Sequence, residues 1–362
     1  MQNSFVSFVH GYEDLSLRIS EPTLPALARI EASKPTVFRY PFPRTPADFR
    51  EFAFDFVGEM PHGDAVEFPR LPRFGLTGLA HYGGKIFAGS WNAVYQIDPA
   101  SGKLERLISH RFMNDLHGIA VGDVGIVTVL TGLDMVVVSD FDGEVIQTLA
   151  INDDLTVDRN PPREDIDWRF VGKQFRGSTG IWHFNNVEIV GNSLHLTSRN
   201  ASSVVIVDLD AGRASLASIS HLTPVLIHDG VRLGTSIFFT SVDGKILIAQ
   251  SWDKASFESG AVEAGAKTAP FNRGLISKVL RLSDSDFGRE PNWCRGIAVD
   301  SRSILVTVDG RYGSDLSFGV VEIDHQGTFR EEVRIGWNEI GNPSRLRYVT
   351  GFDVLLEKEI VG

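Results

Sequence analysis

Three observations in the amino-acid sequence predict an all-β chain built from repeated four-stranded sheets. The first is residues 180–212, GIWHFNNVEIVGNSLHLTSRNASSVVIVDLDAG, which read as three short strands over 187–190, 194–198 and 204–208, separated by a Gly-Asn turn and a polar turn. Such a meander cannot bury its flat faces alone. The second is that the chain repeats it: LTGLAHYGGKIFAGS from Leu76, LHGIAVGDVGIVTVL from Leu116, FNNVEIVGNSLHLTS from Phe184, HDGVRLGTSIFFTS from His228 and CRGIAVDSRSILVTV from Cys294, with a weaker copy from Ser344. The third is spacing. The anchors Gly78, Gly118, Asn186, Gly230, Gly296 and Leu346 lie 40, 68, 44, 66 and 50 residues apart. A propeller blade takes about 40–45 residues, so the short gaps hold one blade and the two long gaps one blade plus an insertion. The prediction is a single β-propeller domain over 1–362 with six blades, or five as the alternative.

In chain order, 4–10 and 15–19 are two β-like runs, and the last repeat stops after about two strands. Pairing strands from the two chain ends within one blade removes the open edges of a ring. The alternative is that 4–19 packs outside a smaller ring. Residues 20–73 are proline-rich and irregular, packed on the ring, with room for one short helix over 46–59 that carries Phe49, Phe52 and Phe56 on one face. Blade one ends in a turn through Asp98, Pro99 and Gly102, and blade two contains an Asp142-Gly143 pair expected to form a primed hairpin turn. Two insertions, 152–179 and 251–291, follow alternate blades and are placed near the channel mouth as binding loops or a partial lid. In the first, Arg163, Arg169, Lys173 and Arg176 are candidates to hold an anion, against the commoner reading of a solvated charged face. The second ends in GLISKVLRLSDSD, which reads as one further outer strand.

Composition narrows the function classes. The 43% hydrophobic and 10% aromatic content supports a large core. The net charge of −11, with no basic run to follow a phosphate backbone, argues against nucleic acid. No segment has the roughly 18–20 apolar residues of a membrane helix, and no signal peptide is read at the amino terminus. The single cysteine, Cys294, excludes an internal disulfide and suits a cytoplasmic setting.

The chemistry is expected where the repeats align. In a propeller the first strand of each blade lines the central channel, and the residues at its start converge on one mouth. There the repeats read Thr77, His117, Asn185 with His183 before it, Asp229 with His228 before it, Arg295 after Cys294, and Ser344 or Arg345. Three imidazoles from successive blades can form a face of nitrogen ligands with open positions, as catalytic zinc or non-haem iron requires. The bland reading is ordinary hydrogen bonding to turns, which a lone histidine would favour heavily. Asp229, Asn185 and Asn186 can orient the rings, and Arg295 can clamp a carboxylate, phosphate or sulfate. Cys294 reads more simply as a small buried residue than as a nucleophile. His10, His62, His110, His221 and His325 are assigned to turns or outer strands, and His81 and His195 to strands out of register. No phosphate loop, nucleophile elbow or HExxH motif is present.

The succession TGL (77–79), LHGI (116–119), HFNNV (183–187), IHDG (227–230) and CRGIAV (294–299) resembles a bacterial family of uncharacterised propellers whose blades begin TGL, HDL, HxNG, PHSP and RGL. The departures are Asn186 for glycine and Asp229-Gly230 for Ser-Pro. That resemblance bears on the fold and on these positions. The 182–208 stretch is also similar to one blade of the arylsulfate sulfotransferases, which implies channel histidines and arginine acting on a sulfuryl group. A looser similarity to the NHL-type ring of peptidylglycine lyase implies zinc held by histidines from different blades, here His117, His183 and His228.

The expected function is a metal-dependent lyase or hydrolase acting on a small polar or anionic substrate at the channel mouth. A divalent transition metal, zinc or iron first, would sit on His117, His183 and His228, with Arg295, Asp229 and Asn185 as the catalytic polar set. The alternatives are a non-catalytic propeller that binds a protein or small ligand, and metal-independent sulfuryl transfer. No nucleic-acid or membrane partner is expected, and the oligomeric state is left open.

Overall fold

The sheets form because apolar residues alternate along short strands whose two faces are both covered. Met135 and Val137 lie in one core cluster while Val136 and Val138 lie in the next, so a single strand feeds two interfaces. The computed structural model describes residues 4–10, 14–20, 36–41, 77–101, 103–160, 166–170, 182–218, 226–234, 236–241, 244–250, 276–281, 293–309, 318–335 and 349–356. Three strands come first: β1 (Ser4–His10), β2 (Asp14–Ser20) and β3 (Thr36–Pro41). Blade one follows as β4 (Gly78–Tyr82), β5 (Lys85–Gly89), β6 (Val94–Ile97) and β7 (Leu104–Ile108). Blade two is β8 (Leu116–Gly122), β9 (Gly125–Leu130), β10 (Met135–Ser139), β11 (Val145–Ile151) and the short β12 (Val157–Asp158). Blade three is β13 (Phe184–Val190), β14 (Ser193–Ser198), β15 (Ser203–Asp208) and β16 (Arg213–Ser218). Blade four is β17 (Ile227–Leu233), β18 (Ser236–Ser241), β19 (Lys245–Gln250) and β20 (Ile276–Arg281). Blade five is β21 (Trp293–Val299), β22 (Ile304–Asp309), β23 (Phe318–Ile323) and β24 (Phe329–Ile335), and the last strand is β25 (Val349–Leu356).

Each of the five blades is an antiparallel meander in strict sequence order, and a further sheet has the order β25-β1-β2-β3. The first strands contact one another around a circle: β4 with β8, β8 with β13, β13 with β17, β17 with β21, β21 with β25, and β25 with β4. The fold is a β-propeller. Its cores lie between neighbouring sheets. One cluster joins Phe87 and Val94 of blade one to Leu116 and Ile126 of blade two, another joins Val127 and Val136 to Phe184 and Leu196 of blade three, and another joins Phe238 and Ile246 of blade four to Cys294 and Val306 of blade five.

The chain ends meet in one sheet as expected, with Ser4 opposite Leu356 and His10 opposite Val349. Three expectations need correction. The proline-rich 20–73 segment is not irregular throughout, because it supplies β3, which pairs with β2 from Asp14↔Pro41 to Ile19↔Thr36. Pro41 is tolerated there because β3 is an edge strand, where a missing N–H breaks no ladder. The Asp142-Gly143 turn is not of the primed kind: the loop spans 140–144, Asp140 N–H donates to Glu144 O at 2.9 Å, and Gly143 alone takes positive φ (+89°) before a bulge. The 152–179 insertion begins as sheet rather than as a free loop, since β12 adds to β11 as a fifth strand. The further outer strand read before Asp284 is β20. The helix expected over 46–59 lies outside the described residues.

Candidate functional site

The first two strands of blades two to five pair regularly except at one level. Their registers slip between Leu116 and Gly118, Phe184 and Asn186, Ile227 and Gly230, and Cys294 and Ile297. The residues carried in the slips are His117, Asn185, His228 with Asp229, and Arg295 with Gly296. A β-bulge re-aims a side chain out of the alternating pattern, and bulges are common next to active sites for that reason. In blade one the described pairing begins at Gly78, opposite Gly89, and Leu76, the counterpart of Leu116, lies outside the described residues; Thr77 contributes a hydroxyl that donates to Leu116 O at 2.6 Å. Similar latches fix three further junctions. Thr131 Oγ1 donates to Phe184 O at 2.6 Å, Asn186 Nδ2 to Gly230 O at 2.7 Å, and the Thr240 hydroxyl to Arg295 O. Each polar residue at the mouth is therefore tied by its own backbone, or its neighbour's, to the adjacent blade.

All six candidate residues are buried: His117, His183, His228, Asn185, Asp229 and Arg295. His117 Nδ1 lies 3.0 Å from Asn185 Oδ1, and its Nε2 lies 3.3 Å from Asp115 Oδ1, so both ring nitrogens face oxygen acceptors. The His117 and His183 rings meet edge to face, with centroids 5.4 Å apart at 85°. His228 Nδ1 lies 2.9 Å from Asp229 Oδ1. A carboxylate can only accept, so the proton sits on Nδ1 and the lone pair on Nε2. Burial holds His228 well below the usual imidazole range, and the Arg295 guanidinium, the His117 and His183 imidazoles and the Arg199 guanidinium add to the effect. His228 is thus a neutral base at physiological pH, with the other candidates around it.

Three residues at this level adopt backbone conformations that ordinary side chains avoid. His183 has φ +47° and Asp115 has φ +48°, and Asp134, which supports the first, has φ +53°, a region costly for non-glycine residues. Asp134 holds the first of them, its Oδ1 accepting His183 N–H at 3.0 Å and its Oδ2 accepting Trp182 N–H at 3.0 Å. Thr131 N–H donates to Asp115 O at 3.1 Å and holds the second.

Beside this level the first strands come close. A Cβ at Gly118 would lie 2.7 Å from Asn185 O and 2.9 Å from Asn186 Cα, and one at Gly78 would lie 3.0 Å from Ile119 N. Asn186, where the other strands carry glycine, turns its amide into a latch and does not enter the site.

Sequence reasoning missed Asp115, Asp134 and Arg199. Asp115 stands two residues before His117, outside the aligned repeat, and Arg199 follows the second strand in a stretch read only as a turn. Its amide donates to His183 O at 3.2 Å, which sets it directly across from that histidine. Arg169 was a candidate for anion binding, but the structure turns it inward: it is buried and its guanidinium is bound to Asp167, Nε donating to Oδ1 at 2.8 Å. Arg163, Lys173, Arg176, Ser344 and Arg345 lie outside the described residues. His110 opens a turn as expected, its carbonyl accepting Met113 N–H at 2.9 Å, but it is buried, and burial first and the Arg169 charge second push it down to about 3. His10 lies within β1. Cys294 is buried in the core between blades four and five.

Among the described residues no three His, Cys, Asp or Glu side chains group closely enough to hold a metal ion, and no helix is long and apolar enough to cross a membrane. No protein-family model and no curated protein matches the chain. Solved structures do match. A chain of a crystallised nidogen/laminin complex aligns with a TM-score of 0.55 at 10% identity, covering 98% of both chains. The Cps50 (Swd1) β-propeller domain of Myceliophteria thermophila aligns with a TM-score of 0.43 at 11% identity over 71% of this chain and 73% of that one. Kuenenia stuttgartiensis hydrazine synthase gives 0.43 at 11% identity over 72% and 66%. The first of these likenesses speaks to the fold alone, and the other two carry no argument.

Proposed function

We propose that the channel mouth is the active site of an enzyme acting on a small anionic substrate. Arg295 clamps the anion, and His228, oriented by Asp229, serves as general base. The observation that carries this reading is the set of four bulges at one level, which turn His117, Asn185, His228 with Asp229, and Arg295 out of the apolar alternation of four successive blades. A scaffold gains nothing from four such departures, whereas a base needs a neutral imidazole with a fixed tautomer and a lone pair on its outer nitrogen. Lyase or hydrolase chemistry fits this set: His228 removes a proton from substrate or from water, and His117, which faces Asp115, returns one. The sheet of β25 and β1–β3 is counted as a sixth blade, which makes the ring six-bladed. A cytoplasmic setting belongs to the same proposal.

A metal-dependent form is the second reading, and one observation favours it. Two imidazoles sharing a tetrahedral ion at metal–nitrogen distances of about 2.0–2.1 Å have ring centres roughly 5 Å apart, close to the 5.4 Å between His117 and His183. In this form His117, His183 and His228 would draw together, His117 giving up one of its oxygen contacts, to hold zinc or iron, which would polarise the substrate or activate water.

Calorimetric titration of the untagged protein with inorganic sulfate and phosphate, paired with elemental analysis, tests both. Saturable anion binding that is lost in Arg295→Gln supports the first reading. About one equivalent of zinc or iron, lost in His183→Ala, supports the second. Absence of both leaves a non-catalytic propeller and overturns the proposal.

A further inference from the structure

Resting on the reading of His228 as a base oriented by Asp229, we infer that Thr240 is the positioning residue of that pair, fixing the backbone bulge on which it depends. His228 and Asp229 are neighbours in sequence. In a regular strand such neighbours point to opposite faces of the sheet, yet His228 Nδ1 lies 2.9 Å from Asp229 Oδ1. The contact exists because β17 is bulged there. Ile227 pairs with Ser241 and Gly230 with Phe239, which leaves His228 and Asp229 together opposite Thr240. Two residues against one make a bulge, which re-aims side chains out of the alternation.

A bulge disrupts the ladder, and a buried amide left without a partner is costly. Thr240 supplies that partner. Asp229 N–H donates to Thr240 Oγ1 at 3.1 Å, and the same hydroxyl donates to Arg295 O of blade five. A hydroxyl can do both at once, having one hydrogen and two lone pairs, and Thr240 is fully buried, so solvent does not stand in for it. The far end of the bulge is held from the other side, where Gly230 O accepts Asn186 Nδ2 of blade three at 2.7 Å. Blade five repeats the device. Cys294 pairs with Val308 and Ile297 with Val306, and of the two residues between, Gly296 donates its N–H to Thr307 Oγ1 at 2.8 Å. The Thr240 hydroxyl thus decides which nitrogen of His228 carries the hydrogen, because it keeps Asp229 beside Nδ1.

The experiment is nuclear magnetic resonance of the ring nitrogens in protein carrying isotope-labelled histidine, with His228→Gln identifying the signal. Wild type is expected to carry the hydrogen on Nδ1. Thr240→Val, which keeps the shape and removes the hydroxyl, is expected to lose that form, the hydrogen moving to Nε2 or averaging over both nitrogens. Thr240→Ser is expected to restore it. Thr128→Val is the control: Thr128 is equally buried, its hydroxyl donates to Val137 O at 3.3 Å within blade two, and its loss is expected to leave His228 unchanged. A wild-type signal in Thr240→Val overturns the inference and leaves the His228–Asp229 pair standing. A change of the same kind in Thr128→Val, or no rescue in Thr240→Ser, also overturns it, since the effect would then be general loss of packing. If wild type itself lacks the Nδ1 form, the base reading fails first and the inference with it. Should Thr240→Val fail to fold by circular dichroism, Thr240→Cys takes its place, since a thiol is only a weak acceptor. Loss of the Nδ1 form in that variant supports the inference, and a wild-type signal overturns it.

Discussion

At the scale of single residues, burial of neutral histidines dominates the electrostatics. His110 is pushed down to about 3 and His195 to about 4, each mainly by burial and then by an arginine, Arg169 for the first and Arg232 for the second, while His228 lies well below its usual range. In the unfolded chain all three bind protons below about pH 6.5. Between that pH and the folded values the unfolded state holds more protons than the native one, so stability is full above about pH 6.5 and falls as the pH drops. Each histidine contributes a slope of about 1.4 kcal/mol per pH unit within its window. Chemical denaturation at pH 7.5 and pH 5.0 is expected to show the loss, and His195→Gln, which keeps an acceptor for Arg232, is expected to shrink it. Equal stability at the two pH values would contradict the account. The candidate residues that meet at the channel mouth were legible in the sequence because polar side chains recurred at one position of an apolar repeat, as His117, Asn185, Asp229 and Arg295 do. Asp115 and Arg199 were not, because each precedes or follows a strand and reaches the site only through backbone geometry that spacing does not encode.

At the scale of elements, the first strands of blades one, two and three approach so closely that side chains are excluded. Gly118→Ala sets a Cβ against the Asn185 carbonyl and Asn186 Cα, both backbone atoms that cannot swing away. The expected cost is about 1–3 kcal/mol, and the shift of Asn185 is expected to weaken anion binding as well. Gly122→Ala, on the same strand, would meet only Ile189 Cδ1 at 3.3 Å, and serves as the near-neutral control. Thermal melting of the two variants separates the cases, and equal melting temperatures would refute the close-approach argument. Alternation of apolar and polar residues made the meanders readable, as in 184–190 and 193–198. The bulges were not readable, because a one-residue slip leaves composition unchanged and shows only in the pairing. β3 was hidden for a different reason: Pro35 and Pro41 bracket it, and proline argues against a strand unless its edge position is known. The described part of the first insertion is likewise held more firmly than its charge suggested. Asp167 and Arg169 are buried as a pair, and Trp168 N–H donates to Arg111 O at 2.7 Å while its carbonyl accepts Asn114 Nδ2 at 2.8 Å. That anchorage lies one residue from Asp115.

For the whole molecule, the sheet that joins the chain ends completes the circle of contacts. Removing residues 1–10 takes away β1, which lies between β25 and β2, and leaves two open edges where there was continuous pairing. The melting temperature is expected to fall by about 10 °C or more, given roughly 2–4 °C per kcal/mol for a chain of this order of size. Size-exclusion chromatography is expected to show association through the exposed edges, and an unchanged melt with unchanged elution would mean the circle does not depend on β1. The repeat was legible because each of five blades is continuous in sequence. The closing sheet was legible in outline only, from the shortage of strands in the last repeat, since its partners lie at opposite ends of the chain. That separation sets an order in time. Ser4 waits for Leu356, so during synthesis every other sheet can be complete while β1, already paired with β2, still stands without β25. The last step of folding is then the slowest kind of contact to find, one between distant parts of the chain. Until it forms, the nascent ring carries a strand edge that chaperones, or another copy of the chain, can reach.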